Sequence, residues 1–291
     1  MDKDFGIAVA SGTFKGVFAH GVLAAIESSD LAVNAYACAS SSVISSTLSA
    51  IGAAQVVGLK YWQDALALAK ESQQDMSHVV LQSIQIYGPL IKKEIFSPDR
   101  SRVLIYVSAV NNEVAAELTQ GEGARKLGRR LLLDAFKGEA SWVRENLDKT
   151  CFDSQPEGND LPLTNDNFDA VVYASTRMLH AWKQPAWIDG KPYVDASYTC
   201  MCPAFELCEL GYREVLAVGT EPGPLYADMF KTRVIEAGTV GATKLHTILP
   251  DYDLKAVGVD YTDASEEGLD TAFQHGYEKG LAFVTAYKKG G

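Results

Sequence analysis

Positive charge is in short supply in this chain of 291 residues, where 26 lysines and arginines face 37 aspartates and glutamates and the formal net charge is −11. Such a balance repels polyanions at long range, so DNA and RNA are excluded as partners unless a local basic patch intervenes. Cysteine is scarce as well. The five thiols (Cys38, Cys151, Cys200, Cys202 and Cys208) are an odd number in a large chain, which fits a reduced, cytoplasmic protein better than a disulfide scaffold. The opening residues lack a basic leader, a long apolar stretch and a small-residue cleavage site, so no secretory signal is expected. Internal repeats and long low-complexity tracts are also missing, which excludes solenoids and arrays.

What is present is ordinary globular composition, 47% hydrophobic and 22% charged, enough to bury a sizeable core and too apolar for disorder. Residues 31–59 contain no Asp, Glu, Lys or Arg and are long enough in principle to span a bilayer. The hydroxyls of Ser40, Ser41, Ser42, Ser45, Ser46, Thr47 and Ser49 fit a buried strand, turn and helix better than a lipid-facing span.

Hydrophobic pattern sets the chain order. The run Phe5 to Ala10 predicts a strand, Ser11-Gly12-Thr13 a tight loop, and Val17 to Ile26 a helix. Ala32-Val33 and Tyr36 to Ala39 repeat the strand, followed by the serine cluster and a helix carrying Val43, Ile44, Leu48 and Ile51. Val103–Ala109 and Glu214–Gly219 are further buried-strand candidates, and Glu266 to Lys288 is a final helix closed by Lys-Lys-Gly-Gly. Alternating strands and helices predict an α/β fold with a mainly parallel central sheet and helices on both faces. Around 62–165 the pattern is irregular, richest in breakers over 62–100 and 120–165, and helices and loops around a site are expected there. Asp153 to Pro162 is the clearest loop.

Three fragments could carry chemistry. Cys38-Ala39-Ser40-Ser41-Ser42 joins a strand to a helix through small residues, as a nucleophile elbow does, but without the flanking glycines it reads first as a plain junction. Ser11-Gly12-Thr13-Phe14-Lys15-Gly16 precedes a helix whose free amides could hold an oxyanion. Its glycine spacing matches neither a nucleotide P-loop nor a dinucleotide fingerprint. In Trp187 to Ser197, Asp189-Gly190 is a hairpin turn that places Asp195 at the end of the second hairpin strand, as a site carboxylate or as a cap.

Together, and in this order, the fragments resemble the patatin-like phospholipase family of serine acyl hydrolases, which includes cytosolic phospholipase A2. The family's glycine-rich oxyanion loop is similar to Ser11 to Gly16, where Lys15 and Gly16 match directly and Gly21-Val22-Leu23 follows. Its Gly-x-Ser-x-Gly elbow resembles Cys38 to Ser42, and its Asp-Gly-Gly/Ala motif resembles Asp195-Ala196-Ser197, with Pro203 and Glu209-Leu-Gly-Tyr behind. The resemblance spans the chain. It implies a single patatin-like three-layer α/β/α domain over 1–291 that hydrolyses lipid esters through an acyl-serine, with no cofactor and no metal. Ser40 would be the nucleophile, Asp195 the general base, the Gly12 and Thr13 amides the oxyanion hole, and Lys15 and Gly16 the loop's support. Ser11, Thr13, Cys38, Ser42, Ala196 and Ser197 stand where the family most often has glycine. Any of them that needs positive φ would cost about 1 kcal/mol.

Other readings stay open. One is a catalytically silent relative that binds a lipid or a partner, and another is an acyltransferase using the same acyl-serine. A Ser-His-Asp triad would draw on His20, and a metal site on Cys200, Cys202 and Cys208. The run Val79–Tyr87 is core or lines an acyl pocket. Lipid access by peripheral membrane contact would need Lys92-Lys93, or Arg125-Lys126 with Arg129-Arg130. Oligomeric state is not legible.

Overall fold

A computed structural model describes residues 3–73, 75–157 and 161–290. The chain begins β1 (Phe5–Val9), a 3-10 turn (Thr13–Lys15), α1 (Gly16–Glu27), β2 (Ala35–Ala39) and α2 (Ser42–Ala50). Next come α3 (Ala54–Val57), α4 (Leu59–Glu71), α5 (Met76–Glu94) and β3 (Arg102–Val110). An excursion of α6 (Glu113–Gln120), α7 (Ala124–Phe136) and α8 (Ser141–Asn146) returns as β4 (Leu147–Asp153). After β5 (Leu161–Pro162) and α9 (Phe168–Thr176), the hairpin β6 (Ala186–Ile188) and β7 (Lys191–Val194) leads through a 3-10 turn (Ala196–Tyr198) to α10 (Ala204–Glu209). The chain finishes with β8 (Glu214–Val218), β9 (Leu225–Tyr226), β10 (Val234–Ile235), β11 (Gly238–Val240), β12 (Thr243–Ile248) and α11 (Glu266–Gly290).

The main sheet runs β11-β12-β8-β1-β2-β3-β4-β5, parallel from β12 to β3, with β11 and β4 antiparallel at its flanks. This is an α/β fold with a large, mostly parallel sheet covered by helices. The central strands are buried on both faces, which is why they read as unbroken apolar runs. Their two faces differ in size. Ile7, Val9, Tyr36, Cys38, Val103 and Ile105 face the larger core built with α1, α2, α4, α5, α9 and α11. Ala8, Ala35, Ala37, Ala39 and Ala217 face a thinner layer with α10. A third cluster ties α6, α7 and α8 to Val194 and Tyr198.

Residues 31–59 are β2, α2 and α3, and no helix among the described residues is long and apolar enough to cross a membrane. The region expected to be irregular is more regular than its composition predicts: α5 alone runs 19 residues. Ala32-Val33 lie outside β2, because Asn34 closes the turn by accepting from the Phe5 amide through Oδ1 at 2.9 Å. The loop expected over 153–162 begins later than expected, since Asp153 ends β4, and Leu161–Pro162 is a short strand; Gly158, Asn159 and Asp160 lie outside the described residues.

Candidate active site

Register brings Ser40 and Asp195 together. Strand β2 ends with Ala39 opposite Tyr106 of β3, and Ser40 follows at the carboxyl edge of the sheet. Farther along β3, Ser108 pairs with Val194 of β7, which arrives antiparallel. The hairpin that delivers β7 turns at Asp189 (φ 49°) and Gly190 (φ 74°), the two left-handed residues of a tight β-hairpin. Asp195 therefore meets Ser40 head to head. The Ser40 hydroxyl donates to Asp195 Oδ2 at 2.7 Å, and Asp195 Oδ1 accepts from the Ser197 amide at 2.7 Å. The Asp195 backbone is fixed too, its N–H donating to the Arg177 carbonyl at 3.0 Å and its carbonyl accepting from Ser108 Oγ at 2.8 Å.

Ser40 has φ 55°, a left-handed conformation that costs a non-glycine residue roughly 1–2 kcal/mol. Four polar contacts hold it. Its amide donates to Ser175 Oγ at 2.9 Å, and that hydroxyl donates to the Tyr106 carbonyl at 2.7 Å. Ser42 Oγ accepts from the Ala39 amide at 3.0 Å, and the Val43 amide donates to the Ser40 carbonyl at 3.1 Å. Ser175 was not legible in the sequence, because a Ser-Thr pair closing the apolar helix α9 carries no motif.

Of the positions where glycine is commonest in the resembled motifs, only Thr13 has positive φ, at 49°. The other five sit in conformations open to any residue, so their side chains add no backbone strain. The loop around Thr13 is clamped by Lys15, which is 3% exposed and pairs with Glu221 at 2.6 Å and Asp253 at 2.8 Å, with its ammonium 4.9 Å from the Tyr261 ring centroid. Burial alone would lower the Lys15 pKa, but the two carboxylates outweigh it and raise the value. Gly16 lets Trp62 approach, since a Cβ there would stand 2.8 Å from the indole.

Gly12, expected to offer its amide to a reacting oxygen, has that amide engaged. It donates to Ser41 Oγ at 3.0 Å, and Gly12 does not line the cavity beside Ser40. The Thr13 and Ser41 amides have no acceptor among the described residues, and both residues line that cavity. Ser41 Oγ, accepting from Gly12, keeps its own proton for another partner. This role for Ser41 follows from the folded loop, not from the residue order.

The cavity beside Ser40 is narrow, about 50 Å³, and apolar. Phe14, Ile44, Trp62, Met76, Val79 and Trp182 are among the apolar side chains of its wall. The run Val79–Tyr87 serves both ends: Val79, Val80 and Ser83 line the cavity, and Val79, Ile84 and Tyr87 belong to the larger core. Burial raises the Asp195 carboxyl from its ordinary 3.8 to about 6, against the lowering pull of bonds from Ser197 and Ser40. A hydroxyl bonded to a carboxylate that ionises near neutrality can act as a nucleophile with its base.

His20 has no part in this arrangement. Its Nδ1 accepts from Trp62 Nε1 at 3.0 Å and its Nε2 donates to the Ala54 carbonyl at 3.0 Å, and burial pushes its pKa down to about 4, so it is a neutral core group. The thiols of Cys200 and Cys202 are buried, and among the described residues no group of three or more His, Cys, Asp or Glu side chains is placed to hold a metal ion. No family model matches the chain, and no curated protein matches it.

Proposed function

We propose that the chain is a patatin-like serine acyl hydrolase that cleaves carboxylic esters of lipids through a Ser40/Asp195 dyad. The observation that carries this reading is the 2.7 Å bond from a strained Ser40 to a fully buried Asp195, at the mouth of an apolar cavity. Asp195 takes the Ser40 proton as Oγ adds to the ester carbonyl carbon. The tetrahedral oxyanion receives the Thr13 and Ser41 amides and the Ser41 hydroxyl, each donor worth roughly 3 kcal/mol by analogy with oxyanion holes elsewhere. Collapse breaks the ester C–O bond, and the leaving alcohol takes the proton from Asp195. Water then attacks the acyl-serine with Asp195 again as base, releasing the carboxylic acid and restoring Ser40.

Two further observations favour turnover over silent binding. Only one of the replaced glycine positions needs a left-handed backbone, and no side chain stands between Ser40 Oγ and Asp195. The small cavity seats the first carbons of an acyl chain, and longer chains must displace Met76, a flexible side chain suited to repacking. The test is turnover of p-nitrophenyl acetate, butyrate and octanoate by wild type, Ser40→Ala and Asp195→Asn. Loss of at least about a thousandfold in both variants supports the dyad; a folded Ser40→Ala that turns over at the wild-type rate removes it.

A further inference from the structure

Helix α7 is unlike the rest of the surface. Residues 124–137 hold Arg125, Lys126, Arg129, Arg130 and Lys137 against the single acid Asp134, a net charge of +4, so the remaining residues together carry −15. The inward side of the helix buries Leu127 and Leu131 in the third core cluster. The outward side sets Leu133, 64% exposed, and Phe136, 86% exposed, beside those cations. Arg129, Leu133 and Phe136 recur at i, i+4 and i+7 and so lie along one line of the helix, away from the core. Among the described residues Arg130 pairs with Asp134 at 3.4 Å and Arg125 Nε donates to the His180 carbonyl at 3.4 Å, while Lys126, Arg129 and Lys137 make no ion pair.

Two large apolar side chains among cations call for a partner that is anionic at its surface and apolar just beneath. Nucleic acid satisfies only the cations. An anionic bilayer offers both layers in the order this helix presents them. Placement agrees. The chain leaves β3 at Val110 and re-enters β4 at Leu147, so α6 to α8 stand at the carboxyl edge of the sheet, the edge that carries Ser40. Gly128 packs directly on the backbone of Leu179 and His180, and two residues on, Trp182 is in the cavity wall.

We propose that α7 is an interfacial helix that docks the protein on anionic lipid, with Lys126 and Arg129 at the headgroups and Leu133 and Phe136 in the acyl boundary. Its purpose, to bring ester to the cavity, rests on the acyl-hydrolase reading, whereas its physical basis does not. The test uses full-length Ser40→Ala, which separates docking from turnover, in co-sedimentation with phosphatidylcholine vesicles made with and without phosphatidylserine. Binding is expected only with phosphatidylserine and should weaken as salt is raised. Adding Lys126→Gln with Arg129→Gln should lower it roughly 30-fold, about fivefold per charge. Adding Leu133→Ser with Phe136→Ser should lower it by at least about tenfold.

No association with phosphatidylserine vesicles, or association unchanged by both pairs, overturns the proposal. So does a loss confined to the charge pair, which would leave an electrostatic contact with the headgroups and no insertion of Leu133 and Phe136. In the wild-type background both pairs should leave p-nitrophenyl acetate turnover unchanged, which controls for folding. Vesicle binding in a protein that turns over no ester would keep the docking helix and discard the hydrolase; turnover without vesicle binding would do the reverse.

Discussion

Replacing Asp195 by asparagine should make the protein more stable while disabling the site. Asp195 is fully buried, and its carboxyl is held near 6 rather than 3.8, with burial as the largest cause. A folded pKa above the unfolded one means that the unfolded chain gives up its proton first as pH rises. Stability present below pH 4 is therefore lost between about pH 4 and 6, and the whole amount is missing at pH 7.5. About 2 pH units at 1.36 kcal/mol each is roughly 3 kcal/mol. Asparagine keeps an oxygen for the Ser197 amide, presents an N–H to Ser40 Oγ, and carries no charge to desolvate. Urea or thermal unfolding of the two proteins at pH 7.5 and 4.5 reads the difference directly. The variant should exceed wild type by about 2–3 kcal/mol at pH 7.5, several degrees in Tm, and by only about 1 kcal/mol at pH 4.5. A variant no better off relative to wild type at pH 7.5 than at pH 4.5 would refute the picture of a carboxylate ionised at a cost.

Three other outcomes follow from the same contacts. The kcat/KM for a soluble ester should be flat above about pH 6 and fall tenfold per unit below it, as Asp195 takes up a proton; a profile governed by a group titrating elsewhere would be seen as a displaced limb. Ser41→Ala should lower kcat roughly 10²-fold with KM little changed, and Ser41→Thr should restore part of it, as steady-state kinetics would show. Asp153→Ala strips a buried carboxylate from the Arg102 guanidinium, to which it is bonded at 2.9 Å through Nε, and should cost about 3 kcal/mol in urea unfolding.

The parts legible in the sequence were those whose burial is complete or whose turn chemistry is specific. β1, β2, β3 and β8 are covered on both faces and so appear as apolar runs, and Asp189-Gly190 announces its hairpin. β12 and β4 were not legible. Thr243–Ile248 mixes exposed lysine and half-buried histidine with leucine, and Leu147–Asp153 carries its exposed Asp and Lys in a flanking strand. The helices α4, α5 and α7 were obscured by charge and by Pro89 inside α5. At the candidate site, Ser40 and Asp195 could be named only from the resemblance that the three fragments carry together, and Ser175 and the Gly12-to-Ser41 bond depend on segments 135 and 29 residues apart, which only the fold brings together. Gly12 illustrates the difference: its place in the loop is legible, and the partner that takes its amide is not.

In the proposed reaction Ser40 is the residue whose oxygen attacks. Fluorophosphonate labelling at pH 7.5, with the modified residue located by peptide mass spectrometry, tests it without any choice of natural substrate. A single adduct on Ser40, absent from Asp195→Asn, is the expected result. An adduct on Ser41 or Ser42 instead, or a folded protein that takes no label, would contradict it.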